Sequence, residues 1–316
     1  MKRKAGRIKV FVIDDTRLDG VGWWRNSEPF AALDKMHGDA LDIHFVSENV
    51  DIRHLKTADV VVRFRPTSRE SLEFLKVCKD FGIKLILDID DDLWNIPIGH
   101  PMFMESLEWG ARLRQIYDLA DVIWTSTEQL RYSVGDLGRA LVVQNAIYPN
   151  DMPFAPMEWK GLAAWRGSAT QVADICNEIA KAKYLEVREK YTWIFAGYAP
   201  DLPHAQNVRF QRGVSPLAYF LNLKQGLANV FWKPLQENLF NDAKSNIAML
   251  EAAMSGGVCV TNYAGKPGWE FALPEFPNEE ETREQFYEVR QAIVENYNLF
   301  DVTEKRFQSI VNIVNS

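Results

Sequence analysis

Short β-branched runs alternate with helical stretches along this chain in two successive series, an order that leaves few folds open to it. In the first series, apolar runs at 8–13, 41–46, 59–64, 84–89, 122–125 and 141–143 read as strands. Helical periodicity fills the gaps at 27–37, 68–81, 104–120 and 128–137. Strand–helix–strand order requires crossovers, hence a parallel sheet covered by helices on both faces. Such sheets hold ligands beyond the C-terminal ends of their strands. Residues 148–160, with Pro149, Pro153 and Pro156, show little apolar periodicity and read as a linker. The rhythm then restarts, with strands at 162–165, 192–196, 208–211, 230–232 and 258–261. Helices are expected at 171–184, 216–223 and 242–255, the last stopped by Gly256 and Gly257. Two more helical patterns follow at 281–296 and 303–314. The expectation is an α/β chain of two domains, 1–157 and 158–316, with a ligand cleft between them. The last helix is free to pack back on the first domain.

Bulk properties narrow the function classes. The 316 residues suit two domains at about 150 each. No apolar run approaches the roughly 20 residues that span a bilayer. The apolar stretch after the basic start is too short for a signal-peptide core and runs into Asp14 and Asp15, so it reads as a strand. Cys78, Cys176 and Cys259 are scattered and odd in number, which gives no disulfide framework or metal spacing and points to the cytoplasm. The five histidines form no metal cluster either. A formal net charge of −7 argues against broad affinity for nucleic acid, though it leaves room for a local basic groove.

The richest chemistry lies in 240–261, Phe-Asn-Asp-Ala-Lys-Ser-Asn-Ile-Ala-Met-Leu-Glu-Ala-Ala-Met-Ser-Gly-Gly-Val-Cys-Val-Thr. Ile247, Leu250 and Met254 make an apolar stripe at helical spacing. Lys244 and Glu251, two turns apart, would flank that stripe on one side. Lys244 and Ser245, with Asn246 beside them, are expected in the first turn, where free backbone amides and the helix dipole favour a phosphate. A cation there does not suit the helix itself, so a bound phosphate accounts for Lys244 better than helix stability does. The other reading is a solvated Lys–Glu face.

A second stretch, Leu162-Ala-Ala-Trp-Arg-Gly-Ser-Ala-Thr-Gln, is a strand, a turn and a helix start. Gly167 would let the backbone approach a ligand, and Ser168 with the following amides could receive phosphate oxygens. Arg166 offers a planar, multi-donor cation suited to a diphosphate. An ordinary turn with an exposed arginine is the alternative. A third stretch, Asp14-Asp-Thr-Arg-Leu-Asp-Gly-Val-Gly-Trp-Trp-Arg, places Gly20 and Gly22 in a loop at the mouth of the first sheet. Its spacing is not the Gly-x-Gly-x-x-Gly dinucleotide fingerprint. Nor is this a phosphoreceiver, since the third strand carries Arg63 and Arg65 where an aspartate is needed.

The fourth stretch, Leu87-Asp-Ile-Asp-Asp-Asp-Leu-Trp-Asn-Ile-Pro, crowds four carboxylates at a strand end. Mutual repulsion makes this costly for stability alone. Asp90, Asp91 or Asp92 could bind or deprotonate an acceptor hydroxyl. They could instead hold a divalent metal through Asp88-Ile-Asp90, or cap a loop.

Together these motifs resemble the GT-B glycosyltransferases, and more narrowly the group 1 (glycogen-synthase-like) retaining enzymes. The polar loop, the helix ending Leu-Glu-Ala-Ala, the Gly-Gly pair and the following strand are similar to that family's donor-binding segment. The Asn-x-x-Lys-Ser, Gly-x-Gly-aromatic-aromatic-Arg and Asp-Asp-Leu-x-x-Ile-Pro runs resemble a bacterial and phage subgroup. The resemblance implies two Rossmann-like domains facing across a cleft, with Glu251 on the nucleotide ribose and Arg166 paired with Lys244 on the diphosphate. Gly20 and Gly22 would approach the donor sugar. Trp23, Arg25 and Asp92 would lie on the acceptor side, with Thr125, Ser126 and Asn145 as weaker candidates. Where the family often has a second Glu, eight residues before the first, this chain has Ala243.

The function implied is metal-independent, cofactor-free transfer of a glycosyl unit from a nucleoside diphosphate sugar, a UDP-sugar first, to a hydroxyl. The acceptor expected first is a glycan or lipid-linked glycan. The second is DNA with hydroxymethylated pyrimidines, for which Arg17, Arg25, Arg63, Arg65 and Arg69 could furnish a basic cleft. The Ala243 departure also permits a noncatalytic sugar-nucleotide- or glycan-binding protein.

Overall fold

The computed structural model describes residues 6–13, 20–147, 155–203 and 207–316. Six parallel strands form the first sheet, in the order β2-β1-β3-β4-β5-β6. They are β1 (Ile8–Ile13), β2 (Leu41–Val46), β3 (Val60–Phe64), β4 (Lys84–Ile89), β5 (Val122–Thr125) and β6 (Ala140–Val142). The second sheet is also parallel and runs β11-β10-β7-β8-β9. Its strands are β7 (Leu162–Gly167), β8 (Thr192–Gly197), β9 (Val208–Arg212), β10 (Val230–Trp232) and β11 (Val258–Val260).

Central strands of a parallel sheet are covered on both faces, so they read as continuous apolar runs. β3 shows this, every residue from Val60 to Phe64 being buried. Alternate side chains then feed separate cores. Phe11, Ile13, Val61, Leu85 and Leu87 pack with Leu72, Leu75, Leu113 and Ile116 from the helices Arg69–Asp80 and Phe103–Leu119. Val10, Val12, Val62 and Ile86 face the other way, against Phe30 and Leu33 of Glu28–His37 and Ile310 and Ile313 of Leu299–Asn315. The C-terminal helix thus belongs to the first domain's core. The two crossings between domains lie side by side: Ile147 N donates to Tyr297 O (2.8 Å) and Leu299 N to Ile147 O (3.0 Å).

Two expected helices are broken. The stretch 171–184 becomes a 3-10 turn Ala169–Gln171, a short helix Val172–Ile175 and a separate helix Glu178–Val187 capped by Asn177. The stretch 242–255 becomes Leu239–Asp242 and Ile247–Met254. Among the described residues, no helix is long and apolar enough to cross a membrane.

Candidate functional site

β7 delivers Arg166 to the cleft. Its guanidinium donates twice to Glu251, Nε to Oε2 (3.1 Å) and Nη2 to Oε1 (2.8 Å). Tyr219 Oη donates to the same Oε2 (3.0 Å), and the Arg166 guanidinium lies 5.1 Å from the Tyr219 ring centre. Burial opposes the charge on Arg166, but Glu251 outweighs it and holds the guanidinium firmly protonated. Burial, and after it the same carboxylate, pushes the Tyr219 hydroxyl well above its usual range. Gly167 follows under a close constraint: a Cβ there would sit 2.3 Å from the Trp165 ring and 2.8 Å from Gln171 Oε1. The glycine expected to admit a ligand is therefore needed by the protein's own packing.

Lys244 reaches the cleft from the loop between the two short helices, not from a first helical turn as its spacing suggested. Asn246, the residue before Ile247–Met254, is buried and carries no side-chain cap. Across the cleft, β4 ends in the acidic run. Lys244 Nζ donates to Asp91 Oδ1 (2.8 Å), Arg65 Nη2 to Asp90 Oδ2 (2.7 Å), and Arg65 also pairs with Asp91. Arg65 adopts a left-handed backbone, φ +41°, which only surrounding structure sustains in a non-glycine residue. Burial raises the Asp90 carboxyl more than Arg65 lowers it, and Asp91 adds to the rise. Asp91 is desolvated too, yet Arg65 and Lys244 together hold it below the usual carboxylate range.

Two cavities meet at the Arg166–Glu251 pair. One, of about 360 Å³, is lined by Gly20, Arg65, Asp90, Asp91, Arg166, Ser168, Gln171, Lys233, Lys244, Ser245 and Glu251. The other, of about 170 Å³, lies beyond β8 and β9 and is lined by Gly20, Trp24, Arg166, Gly167, Gly197, residues 211–214, Tyr219, Phe220 and Glu251. Eight of the residues singled out from sequence thus line one cleft: Gly20, Asp90, Asp91, Arg166, Ser168, Lys244, Ser245 and Glu251. Lys233 and Tyr219 were not anticipated. A lysine directly after a buried strand, before Pro234, was the available signal for Lys233.

The acceptor-side expectations are corrected. Arg25 is wholly buried and gives its Nε (3.0 Å) and Nη2 (2.5 Å) to Asp88 Oδ1 and its Nη1 to Val143 O (2.6 Å). Arg306 of the C-terminal helix reaches the other oxygen of Asp88 (3.3 Å). Asp92 is also buried, accepting from Trp94 N, Asn95 Nδ2 and Ser133 Oγ, so it shapes the loop. Trp23 stacks on Phe220 of the second domain, ring centres 5.1 Å apart, and seals the domain contact. Gly20 and Gly22 form a helical turn and not a loop, continued by a π-helical Trp23–Ser27, and Gly22 is buried. The earlier part of that stretch, residues 14–19 with Arg17, lies outside the described residues, as do Pro149 and Pro153 of the linker. Thr125, Ser126 and Asn145 spend their side chains on Thr127 O, Asp90 O and Arg25. Of the arginines expected to furnish a basic cleft, Arg25 and Arg63 are instead buried in pairs with Asp88 and Glu48, and Arg65 is bound by the aspartates. No group of three or more His, Cys, Asp or Glu among the described residues is arranged to hold a metal.

At Ala243, the family's departed position, the side chain is fully buried and packs with Phe240 into the first domain's core. Thr127 Oγ1 donates to its carbonyl (3.0 Å), a further bond between domains.

No family model matches this sequence. No curated protein matches it either. Solved structures do resemble it. HepE of Anabaena, in complex with UDP-glucose, superposes with a TM-score of 0.64 at 10% identity over 96% of this chain and 99% of its own. A glycosyltransferase from Rickettsia africae gives 0.59 at 10% identity over 98% and 99%. An alpha-glucosyltransferase bound to UDP and a 13-mer DNA containing an HMU base gives 0.54 at 10% identity over 98% and 100%. Two parallel-sheet domains with their charged residues facing across a cleft, superposable end to end on these structures, give this chain the GT-B fold.

Proposed function

We propose that the chain transfers a glycosyl unit from a nucleoside diphosphate sugar, a UDP-sugar first, to an acceptor hydroxyl. The carrying observation is that Arg166 and Lys244 converge on one cavity while Glu251 stands where it meets the second. In this reading the nucleoside occupies the smaller cavity with its ribose against Glu251, and the diphosphate and sugar occupy the larger. UDP in the HepE and alpha-glucosyltransferase structures supports that choice of donor.

Cleavage of the bond from the anomeric carbon to the diphosphate oxygen leaves negative charge on that oxygen. Fixed cations in a water-poor cleft stabilise such charge without reorganising, and Arg166 and Lys244 fill this role with no metal required. The acceptor proton has a carboxylate beside it. Asp91 is tied down by two cations, whereas Asp90 has its affinity for a proton raised by burial. Closure of the domains keeps water from the donor. The acceptor proposed is a glycan or lipid-linked glycan, since Arg25, Arg63 and Arg65, three of the arginines that would favour DNA, are each paired with a carboxylate of the chain. Unpaired Cys78, Cys176 and Cys259 suit a cytoplasmic setting.

The test is release of UDP from a panel of UDP-sugars, with mass gain on glycan, lipid-linked and hydroxymethylated DNA acceptors, in EDTA and in manganese. Transfer in EDTA, with turnover of Lys244→Ala lower by ~100-fold and donor affinity less affected, is expected. Activity only with manganese would move the chemistry to the aspartates. Tight donor binding with no transfer to any acceptor would leave a binding protein.

A further inference from the structure

The cations around the larger cavity are not equivalent. Arg166 has Glu251 and Lys244 has Asp91. Lys233 lines the same cavity, yet its hydrogen-bond partner is a neutral amide: Nζ donates to Gln171 Oε1 at 2.7 Å. Among the described residues no carboxylate forms an ion pair with it. Its backbone is fixed, because Lys233 N donates to Val260 O (2.8 Å) at the end of β11, so the side chain is delivered from a rigid strand end. A half-buried ammonium beside two other cations, with no counter-charge of its own, is an anion site awaiting its anion.

We infer that Lys233 grips the donor's diphosphate from the floor of the cavity and takes up a proton as the diphosphate enters. This rests on the donor reading above and adds to it a residue and a proton. The groups around the amine set the sign. Burial disfavours its charge most, followed by Lys244 from the loop before Ile247–Met254 and Arg166 from β7. Asp174 of Val172–Ile175 and Glu251 of Ile247–Met254 pull the other way without prevailing, and the Lys233 ammonium falls to about 8. Cys259 on β11 is a buried neutral thiol, pushed far up by its own desolvation, and adds no charge. Entry of a diphosphate supplies the missing negative charge and restores the proton to Nζ. Donor affinity therefore falls as pH rises through about 8, where the empty site loses the proton that the filled site keeps.

The experiment is calorimetric titration of the full chain with UDP at pH 8 in two buffers of different ionisation heat, repeated at pH 7 and pH 9. Wild-type protein is expected to take up about half a proton per UDP at pH 8. Lys233→Met should take up none, bind on the order of tenfold more weakly at pH 7, and lose the pH dependence. Lys233→Arg, charged at every pH, should bind without uptake. Thermal melts of both variants separate lost binding from lost folding, and the wild-type proton count depends on no variant. UDP binding with no proton uptake, or with equal affinity in Lys233→Met, would overturn the role of Lys233 and leave the donor site standing. Failure of the wild-type chain to bind UDP would overturn both.

Discussion

Lys244 Nζ lies 2.8 Å from Asp91 Oδ1, and that one bond ties the proposed phosphate cation of the second domain to the acidic strand end of the first. In the proposed mode of donor binding, Asp91 holds the Lys244 amine that a phosphate oxygen would take. Donor entry must therefore compete with a carboxylate that Arg65 also holds in position. Replacing Asp91 by Asn removes the competing charge and is expected to tighten UDP by roughly two- to fivefold, about the worth of one partly exposed ion pair. Calorimetric titration measures it. Weaker binding would mean that Asp91 presents Lys244 to the ligand and does not compete for it.

Glu251 accepts two bonds from Arg166 and one from Tyr219 while almost fully buried itself. Its removal strands an arginine and a phenol around a hole. Glu251→Ala should lower stability by about 1–3 kcal/mol, toward the small end because the far side of Arg166 meets solvent. UDP affinity should drop as well, because both cavities lose their shared wall. Thermal melts and titration on one preparation report the two effects separately.

Gly167→Ala is expected to be more damaging than its size suggests. The added methyl would meet the Trp165 ring at 2.3 Å, inside a core that has no spare room. Overpacking of this kind costs about 1–3 kcal/mol. A variant as stable as the wild type in urea would show that Trp165 can swing aside.

Asp88 sits between Arg25 and Arg306 with all three side chains out of solvent. It binds the helix Leu299–Asn315 to β4 and to the π-helical segment Trp23–Ser27 that leads into the helix Glu28–His37. Asp88→Ala leaves two buried guanidiniums without a counter-charge and should cost about 3–5 kcal/mol. Denaturant unfolding reads this directly, and a loss under 1 kcal/mol would mean that Arg306 is held mainly over the Trp124 ring, 4.8 Å away.

His100 sets a pH dependence for stability. Its Nδ1 accepts from Met102 N (3.2 Å), a bond that the protonated ring cannot keep. Burial chiefly, and Lys244 after it, lower its affinity for a proton. A lowered histidine binds fewer protons folded than unfolded, so stability falls as pH drops below about 6.5 toward the folded value. Melting temperature should decline from pH 7 to pH 5, and His100→Asn, which keeps an acceptor but does not titrate, should flatten that decline. An unchanged slope would place the acid sensitivity elsewhere.

Legibility differed sharply between elements and contacts. β1, β2, β4, β5 and β10 occupy the ranges their apolar runs suggested, and for the inner strands this is because burial on both faces writes their boundaries into local composition. The helix at 242–255 did not survive as one piece. Ala243 turns into the first domain's core and Lys244 into the cleft, and a continuous helix could not do both. Arg25 and Asp92 looked like cleft residues by type and position, yet each satisfies partners that lie in other segments.

By itself the sequence determined the strand and helix order, the two parallel sheets and the set of charged residues that meet at their C-terminal edges. Those follow from periodicity and from turn residues, which act over a few positions of chain. Tertiary structure alone decided which charges face one another. Arg25 and Asp88 stand 63 residues apart, Arg166 and Glu251 85, and Lys244 and Asp91 153. No local pattern encodes such pairs, because a buried charge takes whichever partner the packing of distant segments brings within a hydrogen bond. That same packing left Lys233 facing a neutral amide in a cavity where Arg166 and Lys244 each face a carboxylate.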